Sequence, residues 1–310
     1  MKRLPTLLLS ALLLLSMTAC GGTDSPAPTD ATASATVPAE VTTPTEAEVT
    51  EPSTPENLLG NDIMQLVNNE DMAVHIVSIE NNAHTGMQLR IQCENKTDRA
   101  LLFSWDMVSV CGFMYDPFWA EEVAAGKTAN STVYLDTYEL EKMGVLSVDE
   151  ITFTLRAVDA ESWMDDILLR EEFTIYPTGR NAETLQLPRR EETPGQQVIA
   201  EDENLRFVIE WADEENPSAY KLHVYLENKT DRNLMYSWDK VSVNGYMIDP
   251  FWATSVTAGK KACSEITFYR SDLESNGIEN VSDIEFTLLV SDYDNWDVPY
   301  LLEETYTYAP

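Results

Sequence analysis

The chain's densest run of oxygen ligands is Asp292-Tyr293-Asp294-Asn295-Trp296-Asp297. Alternate carboxylates in a loop are the hard ligands that Ca²⁺ prefers, so Asp292, Asp294 and Asp297 form a weak candidate calcium site. The run lacks the Gly and the closing Glu of an EF-hand loop. A solvated acidic turn is the alternative interpretation, and it requires no metal.

Histidine offers little further chemistry. The three histidines are His75, His84 and His223, and no two of them have the spacing of metal ligands. The sequence contains no Gly-x-Ser-x-Gly, no phosphate-binding glycine loop and no His-Glu-x-x-His. These absences predict a protein that is not an enzyme and that carries no cofactor.

The most prominent feature is a long stretch that occurs twice. Trp105 and Trp238 lie 133 positions apart, and the same offset joins two Glu-Asn-Lys-Thr-Asp-Arg segments and two Asp-Pro-Phe-Trp-Ala segments. A period of this length is too long for a solenoid repeat and indicates a duplicated domain. We expect the first copy at 61–177, a linker at 178–196 and the second copy at 197–310.

The two Asp-Pro-Phe-Trp segments place adjacent aromatic rings after a turn. Neighbouring residues of a regular strand face opposite sides, so both rings of a pair cannot point inward. Trp119 and Trp252 are therefore the candidate ligand contacts, because exposed Trp suits carbohydrate or protein surfaces. In the alternative interpretation Trp119 and Trp252 only cover the edge of a core that is filled by Trp105, Trp238, Phe118 and Phe251.

Three cysteines lie within the copies, namely Cys93, Cys111 and Cys263. None has a cysteine partner at the equivalent position of the other copy, which excludes a shared disulfide framework. A Cys93–Cys111 bridge and free, largely buried thiols both remain compatible with the sequence.

The N-terminus has the order of a bacterial lipoprotein signal. A short basic segment and an apolar run precede Met17-Thr18-Ala19-Cys20. We expect residues 1–19 to be a signal peptide and Cys20 to carry lipid, which anchors the protein without spanning the membrane. An ordinary secretory signal with a chance cysteine is the alternative.

Residues 20–60 are rich in Thr, Pro, Ala and Glu and nearly lack large apolar side chains. Such a segment is expected to be a disordered tether. The whole chain has 53 acidic and 20 basic side chains, for a formal net charge of -33. This charge argues against nucleic-acid binding, which needs clustered Lys and Arg.

Each copy has the pattern of short strands separated by turns. In the second copy we predict strands at 205–211, 220–226, 234–243, 264–269, 284–290 and 301–308. Asn244-Gly245 predicts a hairpin turn, and 272–278 a short helix with an Asp cap, an inward Leu273 and a terminating Gly277. About seven strands per copy predict an all-β fold of two tandem β-sandwich domains.

Several segments resemble one family. They are Glu227-Asn228-Lys229-Thr230-Asp231, residues 241–250 (Val-Ser-Val-Asn-Gly-Tyr-Met-Ile-Asp-Pro), 258–262 (Ala-Gly-Lys-Lys-Ala) and 272–278 ahead of Ile284-Glu285-Phe286. They are similar to immunoglobulin-like (telokin-like) extracellular domains of uncharacterised surface lipoproteins of clostridial and related Gram-positive bacteria. The resemblance covers both copies and implies immunoglobulin-like sandwiches outside the membrane, with no catalytic residues.

The expected function is binding or adhesion at the cell envelope, by a protein anchored to the extracytoplasmic side of the cell membrane through its N-terminal lipid. The expected partner is a protein or a carbohydrate. The alternatives are a structural spacer without a ligand and an accessory subunit of an envelope complex.

Overall fold

The computed structural model describes residue 59 and residues 62–82, 86–162 and 167–310. The signal peptide, Cys20 and nearly all of the tether lie outside the described residues, as do His84 and Trp163. Residues Ser53–Pro310 form one compact unit. Of the described residues 55% are in strands and 5% in helices, which confirms the all-β prediction.

The elements repeat with the offset seen in the sequence. The hairpin strands Leu101–Val110 and Leu234–Val243, for example, occupy equivalent positions. The first copy contains β1 Met64–Asn68, β2 Met72–Asn82, β3 Gly86–Asn95, β4 Leu101–Val110, β5 Phe113–Met114, β6 Ala120–Val123, β7 Thr128–Leu135, α1 Thr137–Lys142, β8 Ile151–Asp159 and β9 Ile167–Ile175. The second contains β10 Gln197–Glu201, β11 Leu205–Asp213, β12 Ala219–Asn228, β13 Leu234–Val243, β14 Tyr246–Met247, β15 Ala253–Val256, β16 Lys261–Tyr269, α2 Arg270–Ser275, β17 Ile284–Asp292 and β18 Leu302–Tyr308.

The predicted strands of the second copy are all present, while the short strands β10, β14 and β15 were missed. The helix prediction needs a correction at its start. Helix α2 begins at Arg270, two residues before the expected Asp cap, and Tyr269 precedes it without a side-chain cap. In the first copy Asp136 holds that position, and its side chain accepts a hydrogen bond from the Tyr138 N–H.

The sheets join the copies. The first copy contributes a sheet of order β1-β2-β3-β7, and the second a sheet of order β14-β13-β17-β18 with β15 beside β13. A nine-stranded sheet contains strands of both, in the order β10-β11-β12-β16-β5-β4-β8-β9, with β6 beside β4. Strands β16 and β5 pair in parallel where the Lys261 N–H donates to the Gly112 carbonyl at 2.9 Å.

Each copy has its own hydrophobic cluster between two groups of strands. In the first copy Leu89 of β3 and Phe103 of β4 are fully buried in one cluster. The equivalent positions in the second copy, Leu222 and Tyr236, belong to a second cluster. Tyr225 of the second copy packs into the cluster of the first, so the two cores meet at the junction.

A buried asparagine explains why the Glu-Asn-Lys-Thr-Asp-Arg segment repeats so strongly. The side-chain amide of Asn95 donates to the carbonyls of Arg99 and Val123 at 2.7 and 2.8 Å. Asn228 makes the equivalent bonds at 2.6 and 2.8 Å. Both side chains satisfy backbone groups that the turn would otherwise leave unpaired in the interior.

Candidate binding surfaces

The Asp-Pro-Phe-Trp segments form two tight corners. The carboxylate of Asp116 accepts a hydrogen bond from the Phe118 N–H at 2.8 Å, and Asp249 does the same for Phe251 at 2.8 Å. These contacts hold the two Phe residues at φ angles of 49° and 43°. A bulky residue in this left-handed region is an outlier that costs about 1–3 kcal/mol.

The corner turns the Trp rings inward. Trp119 and Trp252 are each only 7% exposed. Their indole N–H groups donate to the hydroxyls of Ser131 and Ser264 at 3.0 Å. The exposure expected of Trp119 and Trp252 is therefore wrong, because the left-handed Phe residue reverses the alternation of a regular strand.

Phe118 and Phe251 are instead the outward rings. Each is 91% exposed, the highest value among the large hydrophobic side chains of the described residues. The alternative is therefore wrong for the two Phe rings, whereas Trp105 and Trp238 lie in the core as it expected. The signal that could have revealed them is the Asp two positions earlier, whose side chain forms a local turn that tolerates unusual backbone angles.

An open cleft lies between the copies, and neither Phe118 nor Phe251 lines it. This open cleft has a volume of about 610 Å³ and is lined by Asp116 of the first corner and by Ala253, which directly follows the second. Tyr293 lies in its wall and also lines an adjoining cleft of about 500 Å³. Trp296, which is 70% exposed, stands in the adjoining cleft beside Arg170.

A further cleft, of about 710 Å³, lies between the first copy, the linker and the second copy. Arg190 of the linker contacts the second copy here. It forms an ion pair with Glu210 at 2.6 Å, and its guanidinium lies 4.1 Å from the Tyr225 ring centre. Trp211, which is 47% exposed, stacks on His223 with ring centres 3.7 Å apart. Burial lowers the pKa of His223 and favours its neutral form.

The acidic turn of the second copy is held by internal contacts. Asp292 forms an ion pair with Arg232 at 3.2 Å and accepts the backbone N–H groups of Asp294 and Asn295. Asp294 accepts a hydrogen bond from Asn233 at 2.8 Å. Within the described ranges no group of three or more His, Cys, Asp or Glu side chains is placed to hold a metal ion. The calcium interpretation of Asp292, Asp294 and Asp297 is therefore not supported, and the turn is explained by its own hydrogen bonds.

The three cysteines of the described region are unpaired. Cys93 and Cys111 are buried, and burial raises the pKa of the Cys93 thiol to about 12. Cys263 is exposed at the cleft between the copies. The bridge between Cys93 and Cys111 is thus absent.

Comparison with known proteins adds no argument about function. No family model and no curated protein matches the chain. A crystal structure of a protein of unknown function from Porphyromonas gingivalis W83 has 10% identity and a TM-score of 0.21, covering 84% of this chain and all of that one. A mutant of Bacillus subtilis oxalate decarboxylase has 9% identity and a TM-score of 0.13, covering 83% of this chain and 82% of that one. Among the described residues no helix has the length and apolar character needed to cross a membrane.

Proposed function

We propose that this chain is a non-enzymatic binding protein that holds a partner at the cell envelope through Phe118 and Phe251. Its lipid anchor would be Cys20, on the extracytoplasmic side of the membrane. Its two copies would be immunoglobulin-like sandwiches of the kind found in surface lipoproteins of clostridial and related bacteria.

The observation that carries the proposal is the pair of exposed, left-handed Phe residues. Each ring is 91% exposed although burying a Phe side chain contributes about 1.5–3 kcal/mol. Each also sits on a strained left-handed backbone that glycine, which has no Cβ, would adopt without strain. The exposed rings contribute little to folding and their backbone is strained, so we propose that they are presented for binding.

The duplication suits bivalent contact. Asp116 of the first corner and Ala253, next to the second corner, line the same cleft, and we propose that one extended partner reaches both rings from it. Two linked weak contacts raise the overall affinity through effective concentration. The net charge of -33 favours a partner with basic groups, and the two Phe rings suit apolar pockets on it. Such a partner is either a protein or a cationic envelope glycan.

The test measures retention on envelope fragments of the source organism, with every protein carrying Cys20→Ser so that no lipid inserts into the fragments. We expect the Phe118→Ala, Phe251→Ala double variant to lose at least about tenfold in affinity, since two aromatic anchors each contribute 1 kcal/mol or more. Ile63→Ala, another exposed apolar side chain at 62%, is the matched control and should bind like wild type. Equal retention of all three proteins would refute the proposal.

The anchor is tested separately. Cys20→Ser should move the protein from the detergent phase to the aqueous phase in detergent partitioning, because it removes the acylated thiol. Unchanged partitioning would refute the lipid anchor without affecting the corners.

A structural spacer is the second candidate. The shared nine-stranded sheet favours it, because sheet pairing fixes one copy against the other. If the protein is a spacer, the double corner variant should retain every interaction of the wild type. Linker substitutions that break the ion pair between Arg190 and Glu210 should instead impair the spacer.

A further inference from the structure

The junction between the copies shows how one copy docks on the next. The carbonyl of Gly112 accepts the Lys261 N–H at 2.9 Å, and Phe113 is buried to 1% exposure beneath that contact. Glu150 pairs with Lys260 at 3.2 Å, with 11% and 21% of the side chains exposed. The docking unit is thus the β5 hairpin of one copy against the start of β16 of the next.

In the second copy the same docking hairpin has no strand of the described residues paired to its outer edge. Strand β14, the equivalent of β5, is the edge of its sheet. Tyr246 and Met247 are 52% and 69% exposed where Phe113 is covered. Exposed edges of this kind are templates for further strand pairing.

The first copy presents the matching acceptor. Strand β7, the equivalent of β16, is likewise the edge of its sheet. Lys127 and Thr128 are exposed at its start and correspond to Lys260 and Lys261. By the register of the junction, the Thr128 N–H points away from β3, as the Lys261 N–H points away from β12.

The charges of the two open surfaces are complementary. Glu150 of the junction corresponds to Asp283 on the open hairpin, and Lys260 corresponds to Lys127 on the open acceptor. Each pair therefore has one acidic and one basic side chain. A second contact of the junction joins the Ser255 hydroxyl to the Met107 sulfur at 3.7 Å. Its open counterparts are Glu122 and Lys240, which are exposed and opposite in charge.

From these correspondences we propose that a second copy of this chain docks on the β14 edge. The Gly245 carbonyl accepts the Thr128 N–H of the neighbour, and the pairs Asp283–Lys127 and Lys240–Glu122 flank that bond. Hairpin and acceptor lie on different surfaces, so the contact is heterologous, and repeated docking builds open rows rather than closed dimers.

The contact between chains is weaker than the junction within the chain. Arg170 and Asp294 form an ion pair at the rim of the junction, at 3.6 Å. Their counterparts Glu303 and Glu161 are both acidic and repel. The junction within the chain also has the advantage of a covalent linker. We therefore expect association only at high protein concentration, or where the protein is crowded.

The test is sedimentation of the full-length protein in detergent, as a concentration series up to about 1 mM, the range in which weak complexes form. The average mass should rise past that of a dimer without a plateau. Asp283→Lys alone and Lys127→Glu alone should each lower the association constant about tenfold, because each places like charges together.

Mixing the two variants separates this proposal from every other contact. Asp283→Lys hairpins fit Lys127→Glu acceptors, so the mixture should recover the association of the wild type. Both side chains are partly or fully exposed, and unfolding midpoints equal to wild type check that the variants fold. The proposal would be overturned if the wild type stayed monomeric at every concentration or formed a closed dimer. It would also be overturned if the charge reversals left association unchanged, which would indicate contact through a different surface.

Discussion

The two copies carry the same hairpin in two environments. In the first copy β5 pairs with the next copy and Phe113 is 1% exposed; in the second, β14 is an edge and Tyr246 is 52% exposed. Where residue types agree, as for Asn95 and Asn228, the structure shows a role within each fold. Where they differ, Phe113 of the first copy and Tyr225 of the second are the side chains that bury the junction.

The junction provides the largest expected difference between equivalent positions. Phe113→Ala should lower the free energy of unfolding by about 4 kcal/mol, because it empties a fully buried site. Tyr246→Ala should change it by no more than about 0.5 kcal/mol, since the ring is half exposed. Urea unfolding measures both values, and similar losses would contradict the difference in environment.

The buried asparagines test the opposite expectation, that equivalent positions behave alike. Asn95→Ala and Asn228→Ala should each cost about 3 kcal/mol, because each removes a buried amide that donates to two carbonyls and accepts the N–H of the Thr two positions later. Asn130→Ala, at an exposed position, is the control. A large loss in one copy and a negligible loss in the other would break the structural equivalence.

The ion pair of the junction has a smaller effect. Lys260→Ala should destabilise by about 2 kcal/mol, because it leaves the nearly buried Glu150 carboxylate without its partner. Lys127→Ala, at the exposed equivalent, should stay within about 0.5 kcal/mol in dilute solution. Thermal unfolding of the matched pair gives the comparison, and equal shifts would argue that the junction pair is solvated.

The copies should also differ in alkaline stability. Burial raises the pKa of five tyrosines in the second copy, namely Tyr220, Tyr225, Tyr236, Tyr306 and Tyr308. Burial also raises the pKa of Tyr115 in the first copy. That copy has no tyrosine at the positions equivalent to the five, which hold Met87, Gln92, Phe103, Phe173 and Ile175.

Proton binding decides whether the free energy of unfolding rises or falls with pH. Above a pH of about 10 the unfolded chain loses phenolic protons that the folded chain retains, so stability is intact below that pH and falls above it. Tyr236→Phe, which copies the first repeat, should reduce the fall between pH 9 and pH 11, a window set by the ordinary tyrosine pKa of about 10. Tyr134→Phe, at an exposed position, is the control and should leave the loss of stability unchanged. Urea unfolding at each pH measures the free energy of unfolding. An equal dependence of that free energy on pH in both variants would contradict the burial effect.

Much of the fold followed from local patterns. The alternating run Leu234–Val243 predicted a strand, and Asn244-Gly245 predicted a turn because both residues tolerate the positive φ angles that it requires. The 133-residue offset predicted that the elements would repeat. The shared sheet could not be predicted, because a single pair, Lys261 with Phe113, joins strands far apart in the sequence. The inward Trp rings were missed for a different reason. Strand alternation fails where Phe118 and Phe251 adopt left-handed angles.

The most direct test compares the two corners one at a time in a Cys20→Ser background, which removes the lipid, using retention on envelope fragments over a range of protein concentrations. The account predicts that Phe118→Ala and Phe251→Ala each weaken retention by about three- to tenfold and that the double variant weakens it further. Retention equal to that of Ile63→Ala in both single variants and in the double variant would contradict it.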